Sequence, residues 1–208
     1  MQTVLTTFEE RTKEIELYYS FLSSNFDIIN KDLNKILRSN LILMLYNLVE
    51  STISNAIEEI HNEIYSQNVT FDSLNIELKK VLIKQLKNNV ESHNFVTSID
   101  CLALDIVKKC FQKKKISTGN IDNNTVAELA RKYGFKGDTS YENTRHSKCL
   151  IEIKGRRNDL AHGIFSFTEV GKEYTLEDLN EKKNETIAYL TEIIQNIDKY
   201  LVDRLYSA

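Results

Sequence analysis

Arg157, Asn158 and His162 are the residues of this chain whose types and spacing best suit chemistry. They stand in the stretch EIKGRRNDLAHGIFSF, Glu152 to Phe167. A guanidinium offers a planar fork of donors that fits a phosphate. An imidazole takes or gives a proton near neutral pH. Five positions apart, the two suit holding or cutting a phosphodiester. On a helix, five residues advance about 7.5 Å and turn about 140°, so Arg157 and His162 diverge. Asn158, four positions before His162, shares its face. An amide there can hydrogen-bond an imidazole nitrogen and set which nitrogen carries the proton. Gly163 follows, a usual residue just past a helix end. His162 then falls in the last turn, beside carbonyls that favour a cation. The same residues also read as ordinary capping and solvation of an exposed helix end, and their types alone do not choose.

The elements that must position this string are helices. The 208 residues contain no proline and six glycines, and proline is the residue that breaks helix interiors. The length fits one domain with a real core. Ile15, Tyr18, Tyr19, Leu22 and Phe26 mark a first amphipathic helix over 8–29. A long second helix runs from about Asp32 to Tyr65, with Leu41, Leu45, Leu48, Thr52, Ala56, Ile60 and Ile64 in steps of three and four. Between 41 and 49 it is apolar almost all round, as in a helix packed on several sides. Asn47 and Glu50 are the polar positions in that run. They read either as residues bordering a cleft with the Arg-His string or as a satisfied core amide and a solvent-facing acid. His61 reads as exposed on the same helix.

A third helix spans Asp72 to about Val90, with Asp72 as its N-cap and Phe71, Leu74, Leu78, Leu82 and Leu86 on its face. His93 lies in a polar break and reads as a surface histidine, and Leu102, Ile106 and Cys110 mark a short helix over 98–112. After the STGNIDNN loop, TVAELARKYGF forms a short helix ending at Gly134. It resembles the first half of a helix-turn-helix, but no recognition helix follows. The motif helix runs from about Asn143 to Ala161, with Cys149, Leu150 and Ile153 inward. Gly155 in its middle costs about 1 kcal/mol relative to alanine and offers close approach to another helix. Thr175 with Asp178 forms a capping-box start. The last helix, Leu176 to Leu205, carries Leu179, Ile187, Leu190, Ile194, Ile197, Leu201 and Leu205 on one stripe. It is expected to pack antiparallel to the second helix and close a bundle.

The net charge of −3 gives the molecule no global attraction to nucleic acid. The charge is uneven, however. Lys108 to His162 holds thirteen Lys or Arg against six acids, leaving the remainder at −10. A basic middle segment that contains the motif suits a local nucleic-acid cleft. The run KKCFQKKK within it reads equally as a solvated helix end. Phe111, Tyr133 and Phe135 are few for base stacking. Cys101, Cys110 and Cys149 have no metal-like spacing and read as reduced thiols of a cytoplasmic protein. Neither His61 nor His93 has a metal partner at ligand spacing, and no metal or cofactor is expected. The N-terminus lacks a signal pattern, and no run of about 18 apolar residues exists to span a membrane.

The Arg-Asn-x3-His string at the end of a helix, followed by an antiparallel amphipathic helix, resembles the HEPN family (higher eukaryote and prokaryote nucleotide-binding). LIEIKGRRNDLAHGIFSF and the earlier LMLYNLVEST, Leu43 to Thr52, resemble a bacterial branch of it, over roughly residues 8 to 205. The resemblance implies an all-α fold, a single helical bundle with long antiparallel helices and a short helical insertion. It also implies a two-fold homodimer in which two motifs meet. The implied activity is metal-independent RNA cleavage by a toxin or phage-defence effector. Arg157, Asn158 and His162 would be its catalytic residues, with Glu50, Asn47 and Asp159 in support. Arg156, Lys154, Lys148 and Arg145 would bind RNA, and an antitoxin or defence partner would complete the system. Other members have lost catalysis and serve as binding modules. A helical interaction protein whose motif is only a helix end remains a third reading.

Overall fold

A computed structural model describes residues 1–89 and 119–207. Among them the chain is all-helical: α1 (Gln2–Ser24), α2 (Lys31–Ser66), a 3-10 turn (Phe71–Ser73), α3 (Ile76–Asn89), α4 (Asn123–Tyr133), α5 (Tyr141–Thr144), α6 (Cys149–Ala161), α7 (Phe167–Gly171) and α8 (Leu176–Val202). The readings at His93, Cys101, Cys110, the 98–112 helix and KKCFQKKK lie outside the described residues.

The apolar stripe expected on α2 is buried along its whole length, from Leu41 through Ala56 to Ile64. Asn30 caps this helix, its side-chain oxygen accepting from the backbone N–H groups of Asp32 and Leu33. α1 begins earlier than expected, because Val4 and Phe8 are buried too. It runs antiparallel to α2: the N-terminal ammonium pairs with Glu59, and Tyr18 donates to the Leu37 carbonyl. Lys183 of α8 is buried and pairs with Glu16 of α1.

α8 runs parallel to α2, against the antiparallel arrangement expected for that pair. Near the start of both helices, Arg38 donates to the Tyr174 carbonyl. Beyond their far ends, Leu74 and Ser207 form a β-bridge. An apolar stripe says which face a helix buries, not which way it runs. Direction was set by the connection, which returns the chain to the start of α2 before α8 begins. α7 makes that return against the α2 backbone, where a Cβ on Gly171 would sit 1.8 Å from the Lys35 carbonyl oxygen. Gly171→Ala is therefore expected to lower stability by about 1–3 kcal/mol, read as a fall in the urea midpoint. Gly155, expected to serve a close approach, has no neighbour within 4 Å of a Cβ position among the described residues.

Two helix starts differ from the sequence reading. Asp72 lies in the 3-10 turn, and Asn75 caps α3 by accepting from the Leu78 N–H at 3.0 Å. The motif helix begins at Cys149 and not near Asn143. Arg145, His146 and Ser147 all have positive φ (45°, 55° and 48°) and break the helix there. Side chains resist this region by about 1–2 kcal/mol per residue. The turn is held by the buried Thr144, whose hydroxyl accepts from the His146 N–H, and by Asn123, which donates to the His146 carbonyl. The start of α8 matches its expected cap, and α4 begins at Asn123, inside the expected loop, behind Asp122. Asp122 accepts from Thr125 N–H, and Thr175 and Asp178 form the full capping box.

His61 is buried at 4% exposure, contrary to its expected place on the outside of α2. Its Nε2 meets the Tyr133 hydroxyl at 2.9 Å, and the two rings stack. Burial pushes the imidazole pKa well below its ordinary 6.5. The unfolded chain then binds a proton that the folded chain refuses. Stability is complete above about pH 6.5 and falls by up to about 1.4 kcal/mol per pH unit below it, until the folded pKa is reached. Urea midpoints measured between pH 7 and pH 5 should show this slope, and His61→Gln should flatten it.

Candidate functional site

α6 is anchored by Cys149, Leu150, Ile153 and Leu160, which face the core. That burial directs Lys154, Arg157 and Asn158 toward α2 and the segment Gly119–Asp122. The Arg157 guanidinium lies over the ring of Tyr46, 4.8 Å from its centroid. Its Nη1 donates to the Gly119 carbonyl at 3.3 Å and to the Asn158 side-chain oxygen at 2.9 Å. Asn158 in turn donates to the Asn120 side chain at 3.1 Å. Asn158 thus aims the guanidinium, and no bond joins it to the imidazole it was expected to orient.

The segment 119–122 is fastened residue by residue. The Ile121 N–H points at the Tyr46 hydroxyl at 3.4 Å, and the Ile121 side chain is buried. Asp122 caps α4 and pairs with Lys154. Burial alone would raise the Asp122 pKa, but the Lys154 ammonium and the Thr125 donors outweigh it and leave it below its ordinary value. Gly119 has a φ of +71°, and a Cβ there would lie 3.3 Å from Nη2 of Arg157. Tyr46 is 1% exposed. Burial first, and then the Glu50 carboxylate, push its hydroxyl pKa up, while Arg157 draws it down.

His162 is the residue that ends α6. Its backbone N–H donates to the Asn158 carbonyl at 3.0 Å, and Gly163 at φ +66° turns the chain away. Its imidazole is exposed and makes no hydrogen bond or ion pair among the described residues. The structure brings Arg157, Asn158 and Glu50 together around Tyr46, and leaves His162 in solvent at the adjoining helix end.

The remaining site candidates disperse. Asn47 is exposed and lines a groove of about 380 Å³ with Glu10, Arg11 and Glu14, on the α1 side of α2. Asp159 bonds Arg156 at 3.2 Å, and Arg156 also pairs with Glu173. Lys154 is held by Asp122. Arg145 lies 3.7 Å from Glu181, and Lys148 is exposed at the other end of α6. Of the three cations in the last turns of α6, two are neutralised by carboxylates. Arg157, among the described residues, is held by a ring, a carbonyl and an amide, with no carboxylate in ion-pair range. Sequence reasoning passed over Tyr46, Gly119 and Asn120. Tyr46 sits in an apolar run and looked like core. The Gly-Asn pair lay in a loop with nothing to mark it.

These features define an all-α protein that presents, among the described residues, a guanidinium with no carboxylate in ion-pair range, near a helix-terminal histidine. The chain belongs to the HEPN family: the HEPN_MAE_28990-like HEPN model matches residues 1–206. Neither the curated proteins nor the solved structures gave a match. Among the described residues, no helix is long and apolar enough to cross a membrane.

Proposed function

We propose that this chain is a metal-independent endoribonuclease, active as a homodimer in the cytoplasm as a toxin or phage-defence effector. The observation that supports the reading is Arg157, whose guanidinium is oriented by a ring, a carbonyl and an amide and, among the described residues, has no carboxylate in ion-pair range, which suits an external anion. Burying even part of a cation without a carboxylate has a cost, and a phosphate would offset it with paired hydrogen bonds. In the reaction, the ribose 2′-oxygen attacks phosphorus, and the bond to the 5′-oxygen breaks. A 2′,3′-cyclic phosphate and a 5′-hydroxyl result. One His162 removes the 2′ proton and one protonates the leaving oxygen, the second supplied by the partner protomer. Arg157 stabilises the charge that grows on the phosphate oxygens. Exposed Ile164, Phe165 and Phe167 directly follow the histidine and suit an apolar contact between protomers.

Incubation with single-stranded RNA in excess chelator tests the reading, with product ends analysed by mass. Cyclic phosphate termini are expected, and intact RNA would overturn it. A second reading is favoured by the absence of any bond from Asn158 to His162. Under it the chain is a non-catalytic HEPN module that holds RNA or nucleotide through Arg157 and cuts nothing. An antitoxin or other defence partner is compatible with either reading.

A further inference from the structure

We infer that Tyr46 is a positioning residue for Arg157, working with the strap Gly119–Asp122, and that it sets the direction from which a substrate phosphate is met. The inference rests on the ribonuclease reading for its rate prediction, but its geometry stands apart from that reading. A guanidinium over an aromatic face is attracted by the ring quadrupole, and here one face of the group is occupied by Tyr46. Nη1 is occupied by Gly119 and Asn158. Among the described residues, the Nε and Nη2 N–H groups carry no hydrogen bond and are left for a ligand. The Tyr46 hydroxyl does a second job, since it meets the Ile121 N–H and so ties the strap to the ring under the guanidinium. The strap in turn is tied to α6 at Asn120–Asn158 and Asp122–Lys154. Gly119 is fitted to this arrangement, because any side chain there would press on the guanidinium.

The ring, not the hydroxyl, carries most of the positioning. Tyr46→Phe should keep most of the cleavage rate, whereas Tyr46→Leu should lower kcat by about 10²-fold with a smaller change in KM, as misplacing a reacting group by about 1 Å does. Gly119→Ala would set a Cβ 3.3 Å from Nη2 of the same guanidinium and should also lower kcat. The second readout is the Arg157 side-chain Nε–Hε resonance, assigned by its loss in Arg157→Lys. It should be displaced by the ring in the wild type and in Tyr46→Phe, and should move to the ordinary arginine position in Tyr46→Leu. Equal losses in the Phe and Leu variants, an unaffected Gly119→Ala enzyme, or an Arg157 resonance that ignores the ring would each overturn the inference. If the wild-type protein cleaves no RNA, the ribonuclease reading fails and the resonance alone decides the role of Tyr46.

Discussion

Arg157→Ala should lower RNA cleavage by about 10²–10³-fold, the usual effect of removing one donor from a site that stabilises developing charge. The loss should fall mainly on kcat, because a guanidinium already oriented by Tyr46, Gly119 and Asn158 needs no rearrangement when the phosphate charge grows. Arg157→Lys should recover little of it. An ammonium keeps the charge but lacks the planar fork, and it cannot bond the Gly119 carbonyl and Asn158 while still presenting a donor edge. The fold should survive both changes, since the core face of α6 is formed by Leu150, Ile153 and Leu160. Steady-state kinetics with the thermal midpoint measured alongside separate a site effect from a folding effect. Replacing Arg156 or Lys154 should act differently. Each is engaged with carboxylates, so its loss disturbs internal pairing more than catalysis.

His162→Ala is expected to reduce cleavage by about 10²–10⁴-fold, the range for loss of a general acid or base, while RNA binding changes little. The imidazole is exposed, and its backbone conformation is that of an ordinary helix end followed by a left-handed glycine. Alanine is therefore compatible with the fold. The same variant distinguishes the two functional readings. Lost cleavage with retained binding is the outcome for an enzyme. Unchanged behaviour in both assays is the outcome for a module that uses only Arg157. Gel-shift affinity and single-turnover cleavage on one RNA report the two properties separately.

Much of the scaffold was legible because its signals are local. The α2 stripe from Leu41 to Ile64, the αL glycine at 134 and the Thr175–Asp178 box each encode an element within a few residues. What the sequence hid depends on distant partners. The direction of α8 was fixed by where the chain re-enters beside Lys35. The burial of His61 depends on Tyr133, 72 positions away. The start of α6 was obscured because Arg145, His146 and Ser147 adopt a left-handed turn that their types do not announce. The site divides in the same way. Arg157 and His162 stand out by type and spacing, whereas Tyr46 and Gly119 acquire their roles only when α2 and the strap close on α6. Asn158 was expected to orient the imidazole four positions on, but its side chain bonds the neighbouring guanidinium and Asn120 instead.

The most direct measurement is the cleavage rate of the Arg157→Ala/His162→Ala double variant beside the two single variants, on one RNA and in excess chelator. Groups that act together on one phosphodiester lose their effects non-additively, so the double variant should be little slower than the worse single one. A double variant slowed by the full product of the two single losses would contradict a shared phosphate, as would single variants that cleave like the wild type.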